Sequence, residues 1–85
     1  MIEFEYKKQW HGEMGIRRDL LPGVYIYTTN HTMRRTCGYV FSQAEDKTLA
    51  FDMVPGTGEQ AHKRVVQMVY AQWQALQPEV VLCGN

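Results

Sequence analysis

Five side chains of this sequence are of metal-binding type: His11, His31, His62, Cys37 and Cys83. Zinc sites commonly place two ligands on one turn, as C-x2-C or H-x3-H, and none of the five stands at such a spacing. They read instead as surface histidines and small packed cysteines. Nucleophilic catalysis needs a nucleophile, a base and a group that orients the base. Ser42 is the sole serine and has no glycine-flanked elbow around it. Cys37 falls inside a β-type run, where inert packing is the ordinary role of a thiol. Glu45-Asp46 reads as a turn and Glu3 with Glu5 as a solvated strand face, so no carboxylate pair suits acid–base work. Pro55-Gly56-Thr57-Gly58-Glu59 sets two glycines before a helix start, where free N–H groups can hold an anion. It lacks the Gly-Lys-Ser/Thr ending of a phosphate-binding loop. These residues imply no cofactor and no metal, and the expectation is a protein that is not an enzyme.

The basic residues show more order. Eight of the nine stand in doublets: Lys7-Lys8, Arg17-Arg18, Arg34-Arg35 and Lys63-Arg64. Neighbours on a strand point to opposite faces, so a doublet gives one charge to each. Nine basic residues balance nine acidic ones over 85 residues, but unevenly. The first 35 residues carry six basic against four acidic groups, and the remaining fifty carry three against five. Zero net charge argues against a bulk binder of nucleic acid or anionic membrane, while leaving room for a local basic patch. The length allows one domain, 1–85. An apolar content of 45% is globular, not disordered. Four charges in the first eight residues do not suit a secretory leader, and no run approaches the ~18 apolar residues of a membrane span. Two cysteines without a leader read as reduced thiols of a cytoplasmic protein, with a Cys37–Cys83 disulfide as the other reading.

The elements that would position these groups follow from periodicity. Ile2, Phe4 and Tyr6 alternate with Glu3, Glu5 and Lys7, which predicts a half-buried strand over 2–10. Ile16 to Leu21 fixes no element type. Val24 to Thr28 is β-branched or aromatic throughout and predicts a strand. Thr29-Asn30-His31-Thr32 is a turn candidate, Thr36 to Ser42 a strand, Ala44 to Lys47 a turn and Thr48 to Val54 a strand. Thr57 followed by Gln60 matches a capping box. Ala61, Val65, Met68, Val69, Trp73 and Leu76 then form one apolar helical stripe that ends before Pro78. Val80 to Cys83 predicts a last strand. The expected fold is α+β, in the order β-β-β-β-α-β, with one amphipathic helix on one face of an antiparallel sheet of four to five strands.

One helix covers only one face of such a sheet. The strands are apolar on both sides, so the uncovered face should be partly aromatic, although the registers that assign each residue to a face stay open. An exposed aromatic face is a docking or dimerisation surface more often than an accident. Tyr25, Tyr27, Arg34, Arg35, Tyr39 and Phe41 are the candidate partner-binding residues, since aromatics and arginine dominate interface energetics.

Two resemblances refine the choice of partner. Arg35-Thr36-Cys37-Gly38-Tyr39-Val40-Phe41-Ser42 is similar to part of the stacking strand of the RNA-recognition motif, where Cys37 and Ser42 stand in place of aromatics. The segment Val66-Gln67-Met68-Val69-Tyr70-Ala71-Gln72-Trp73, with Pro78 and the run Val80 to Asn85 after it, resembles the C-terminal half of small type I anti-CRISPR proteins of phages and mobile elements. That resemblance implies a small inhibitor that occupies a surface of a CRISPR effector complex without catalysis, and it carries over no functional residues. The first expectation is therefore a non-enzymatic protein-binding module. An RNA-binding domain using the same face and a homodimer that buries it are the alternatives.

Overall fold

A computed structural model describes residues 3–76. Six strands precede one helix: β1 (Lys7–Lys8), β2 (Met14–Gly15), β3 (Arg17–Leu21), β4 (Val24–Thr32), β5 (Arg35–Ser42), β6 (Lys47–Pro55) and α1 (Glu59–Leu76). β3 to β6 make a four-stranded antiparallel meander in chain order, and β1 with β2 make a separate two-stranded ribbon. The α+β class and the helix packed on the sheet are as expected. The last predicted strand, Val80 to Cys83, lies outside the described residues.

Two registers decide what each face carries. β4 pairs with β5 through Val24–Ser42, Ile26–Val40 and Thr28–Gly38, alternating with Tyr25–Phe41 and Tyr27–Tyr39. β5 pairs with β6 through Val40–Ala50 and Tyr39–Phe51. Ile26, Val40, Ala50 and Val54 face the helix and are buried with its Val65, Val66, Val69 and Trp73. A register shift beside Val40 and Phe41 brings Leu49 as well as Ala50 against this core.

α1 packs over β5 and β6 and reaches β4. It comes close to β5 at Gly38, where a Cβ would sit 3.2 Å from both methyl groups of Val65. Glycine there lets the helix seat on the sheet. The buried helical positions are Ala61, His62, Val65, Val66, Val69 and Trp73, a stripe rotated slightly from the predicted one, while Met68 and Leu76 are exposed. Glu59 supports the polar side with an i,i+4 pair to Lys63 at 3.4 Å. The first helical bond runs from the His62 N–H to the Gly58 carbonyl at 3.1 Å, which places the cap at Gly58 rather than at Thr57.

Three local predictions change. The 2–10 strand reduces to Lys7–Lys8, and residues 3–6 instead lie against the helix side of the sheet. Phe4 is buried edge-on against Tyr70 (5.5 Å), and Arg18 reaches over Phe4 to donate to the Glu3 carbonyl at 3.0 Å. The alternation is thus real, but it serves packing on α1 rather than sheet pairing. Ile16 to Leu21 resolves into Ile16, fully buried, followed by the edge strand β3. Asn30 is not in a turn: its amide is tied inward, β4 runs on to Thr32, and the turn falls at Met33-Arg34.

The Gly38 contact generates a test. Gly38→Val should lower stability by about 1–3 kcal/mol through overpacking. In denaturant titrations, adding Val65→Ala should make the double variant lose less than the sum of the two single changes. Strict additivity would show that helix and sheet do not meet at this point.

Candidate aromatic interface and its buried support

The face turned away from α1 carries a row of rings. Tyr25 and Tyr27 lie 5.6 Å apart along β4, Tyr27 stacks on Tyr39 of β5 at 4.8 Å with planes 13° apart, and Tyr39 meets Phe51 of β6 at 5.1 Å. Phe41 joins at 5.8 Å from Tyr25. Cross-strand aromatic pairs of this kind each stabilise a sheet by about 0.2–1 kcal/mol, so the row is partly structural. Yet the rings keep open surface: the tyrosines and Phe41 are half-buried and Phe51 is 45% exposed. Burial pushes the Tyr27 and Tyr39 phenols above their ordinary pKa. Tyr25 and Cys37 add to the rise at Tyr27, and the Cys37 thiol, charge and hydrogen bond together, adds to it at Tyr39. Both phenols are therefore neutral hydroxyls at physiological pH. Cys37 is a buried thiol on this same face, paired across the sheet with Thr29 and Met53.

Of the residues singled out in the sequence, Tyr25, Tyr27, Tyr39 and Phe41 come together. Arg35 shares their face but lies four residues from Tyr39, roughly 13 Å along the strand, with its guanidinium 3.7 Å from the Met53 sulfur. Arg34 stands beyond the row in the β4–β5 turn, where its N–H donates to Thr32 Oγ1 (3.1 Å) and its carbonyl accepts the Gly56 N–H (2.7 Å). The arginine at the aromatics is Arg17. Its guanidinium lies 4.1 Å from the centre of the Tyr25 ring and 3.3 Å from the Asp19 carboxylate. The doublet rule holds for this pair, since Arg18 points to the helix side. Arg17, Phe51 and Trp10 are not among the partner-binding candidates drawn from the sequence, although Arg17 stands in one of its basic doublets. Arg17 sits in the segment without a fixed element type, and Phe51 needs the β5–β6 register. Trp10, 90% exposed, belongs to the loop between β1 and β2 that reaches this face at its Tyr25–Tyr27 end.

Under the sheet lies a polar cluster in which Thr28, Thr36 and His62 are buried and Asn30 and Thr57 stand at its exposed rim. His62, on α1, is fully buried rather than on the surface. Its Nδ1 is 2.7 Å from Thr28 Oγ1, which also accepts the Ile16 N–H at 3.0 Å. Its Nε2 faces the Asn30 amide nitrogen at 3.3 Å. That nitrogen also donates to the Thr57 carbonyl (3.2 Å) and Thr36 Oγ1 (3.0 Å), and Thr36 donates on to the Gly56 carbonyl (2.7 Å). A carbonyl only accepts, so the amide nitrogen is the donor here, and its two hydrogens serve the Thr57 carbonyl and Thr36 Oγ1 with the His62 Nε2 beside them. Five residues of β4, β5 and the β6–α1 turn are locked to the first turn of the helix in this way. Thr28 ties β4 both to Ile16 and to the helix, its oxygen buried and engaged twice. Among the described residues no group of three or more potential metal ligands converges, and no helix is long and apolar enough to cross a membrane.

Burial lowers the His62 pKa below its ordinary value of 6.5. The unfolded chain then takes up this proton first as pH falls, so stability is present above about 6.5 and is lost progressively as pH drops through the folded value. Thermal unfolding followed from about pH 7.5 to about pH 5 should show that loss, and His62→Gln should flatten this part of the profile while lowering stability overall. An unchanged slope in the variant would assign the pH dependence elsewhere. No protein family, curated protein or solved structure matches this chain.

Proposed function

We propose that this chain is a non-enzymatic protein-binding module that docks a partner on its open sheet face. The observation behind the reading is the continuous row Tyr25–Tyr27–Tyr39–Phe51, left partly exposed on the side opposite the helix. Tyrosine, phenylalanine, methionine and arginine are the residues enriched at the centres of protein interfaces, where lysine and glutamate are scarce. This face has that make-up, with Arg17 at the Tyr25 ring, Arg35 farther along it at Met53, and Asp19 as the acidic residue of β3 on it. The rings also serve the fold, so the surface is rigid before it binds and little ordering cost falls on association. The finer reading, an inhibitor seated on a host defence complex, rests on the resemblance of residues 66–85 to anti-CRISPR proteins.

The stacked Tyr27–Tyr39 pair also favours a second reading, in which bases of a single RNA strand stack on the sheet. The basic support for it is thin. Arg17 is a single positive charge at the rings, Arg35 is remote from them, and Gly38, one of the motif-like residues, is occupied in seating the helix.

A photo-crosslinking amino acid placed at Tyr27 or at Tyr39 in cells should capture a protein, and the same group at Lys63 on the outer side of the helix should not. With that protein in hand, alanine at Tyr25, Tyr27 or Arg35 should weaken binding by about 2 kcal/mol or more wherever the residue is an anchor, or about 30-fold in Kd. Crosslinks to RNA alone, or binding unchanged in all three variants, would overturn the proposal.

A further inference from the structure

At the Tyr25–Tyr27 end of the row, the β1–β2 loop and the sheet border an open cleft of about 250 Å³. The residues lining it include Trp10, His11, Arg17, Tyr25 and Tyr27. Ligand pockets for drug-sized molecules run to about 300–1,000 Å³, so this one suits a single large side chain. Its polar groups point one way. The Nδ1 of His11 accepts the Glu13 N–H at 3.3 Å, which leaves the proton of the neutral ring on Nε2 as a donor. Gln9 has turned its amide nitrogen away, to the carbonyls of Lys7 (3.1 Å) and Gly15 (2.9 Å). Arg17 presents the fixed positive charge, and no carboxylate lines the cleft. Its ion pair with Asp19 is highly exposed, the Asp19 side chain being 79% accessible. Such a pair holds about 0–1 kcal/mol and is readily exchanged for another carboxylate.

We infer that this cleft is the anchoring subsite of the open face and takes an aromatic side chain from an acidic protein segment, whose neighbouring carboxylate replaces Asp19 on Arg17. The inference rests on reading that face as a protein-docking surface. Trp10 closes over the inserted ring, and the aromatic walls supply the contact area that makes buried aromatics dominant anchors.

The probe is the blocked tripeptide Asp-Trp-Asp, titrated into the full chain carrying a nitrogen-15 label, with Lys-Trp-Lys, Asp-Ala-Asp and hexauridylate as comparators. Asp-Trp-Asp should shift the Trp10 indole and the amides of Arg17 and Tyr27, and should bind more tightly than each comparator. The charge of Arg17 should account for up to about fivefold of the preference over Lys-Trp-Lys. Arg17→Gln should remove that preference, and Asp19→Asn, which frees Arg17, should strengthen Asp-Trp-Asp binding. Equal binding of Lys-Trp-Lys, tighter binding of hexauridylate, shifts confined to other residues, or indifference to both substitutions would each overturn the inference. Crosslinks at Tyr27 or Tyr39 alongside a failed tripeptide titration would retire the subsite and leave the docking face standing.

Discussion

Tyr27 lies opposite Tyr39 across β4 and β5, and the adjoining pair Ile26–Val40 therefore lies on the other side of the sheet. Side chains alternate with a period of two, so this single register sorts every residue of both strands. It gives α1 a surface of isoleucine, valine, alanine and glycine to pack on, and it gathers the rings on the side α1 leaves. A slip of β4 by one residue against β5 would bury Tyr25 and Tyr27 against the helix and expose Val24 and Ile26. Burial of the aliphatic side outweighs the ring contacts, since each fully buried valine or isoleucine is worth about 1.5–3 kcal/mol. The aromatic face is in that sense a consequence of the core.

Two features hold α1 to that surface. Gly38 removes the side chain at the crossing point, so Val65 descends onto the backbone of β5. The cluster of Thr28, Asn30, Thr36 and His62 then fixes where the helix begins, because the His62 ring and the two buried hydroxyls are partnered within it and a displaced helix would strand several of them. The first is a constraint of shape and the second one of direction. Together they keep the helix on one side of the sheet and the β1–β2 ribbon near Thr28 and Ile16, from where the Trp10 loop reaches the opposite face.

Elements with strong local periodicity are legible in the sequence, and their mutual register is not. The helix, β4, β5 and β6 can be read from apolar spacing, and so can the presence of an aromatic face that one helix cannot cover. His62 is misplaced by sequence reasoning because a histidine in isolation reads as polar surface. It stands one helical turn before Val65 and Val66, on the apolar stripe, and that spacing is the available signal. Asn30 reads as a turn residue because its contacts with Thr57 and His62 span 27 and 32 residues. Arg17 and Trp10 become part of the candidate site only through the fold of β1 to β3, short elements that local pattern scarcely marks. Phe4 keeps the alternation of a strand while serving as a cover for the helix, a case where one pattern fits two structures.

Everything proposed for this chain requires that the rings of Tyr25, Tyr27, Tyr39 and Phe51 form an accessible surface opposite a buried helix. Hydroxyl-radical footprinting of the free protein, resolved by residue over a range of concentrations, measures that accessibility. Strong labelling is expected at Trp10, Phe51 and the three tyrosines at every concentration, with Phe4 and Trp73 protected. Protection of the tyrosine row in the dilute free chain, with labelling of Phe4 or Trp73 in its place, would refute this arrangement of faces.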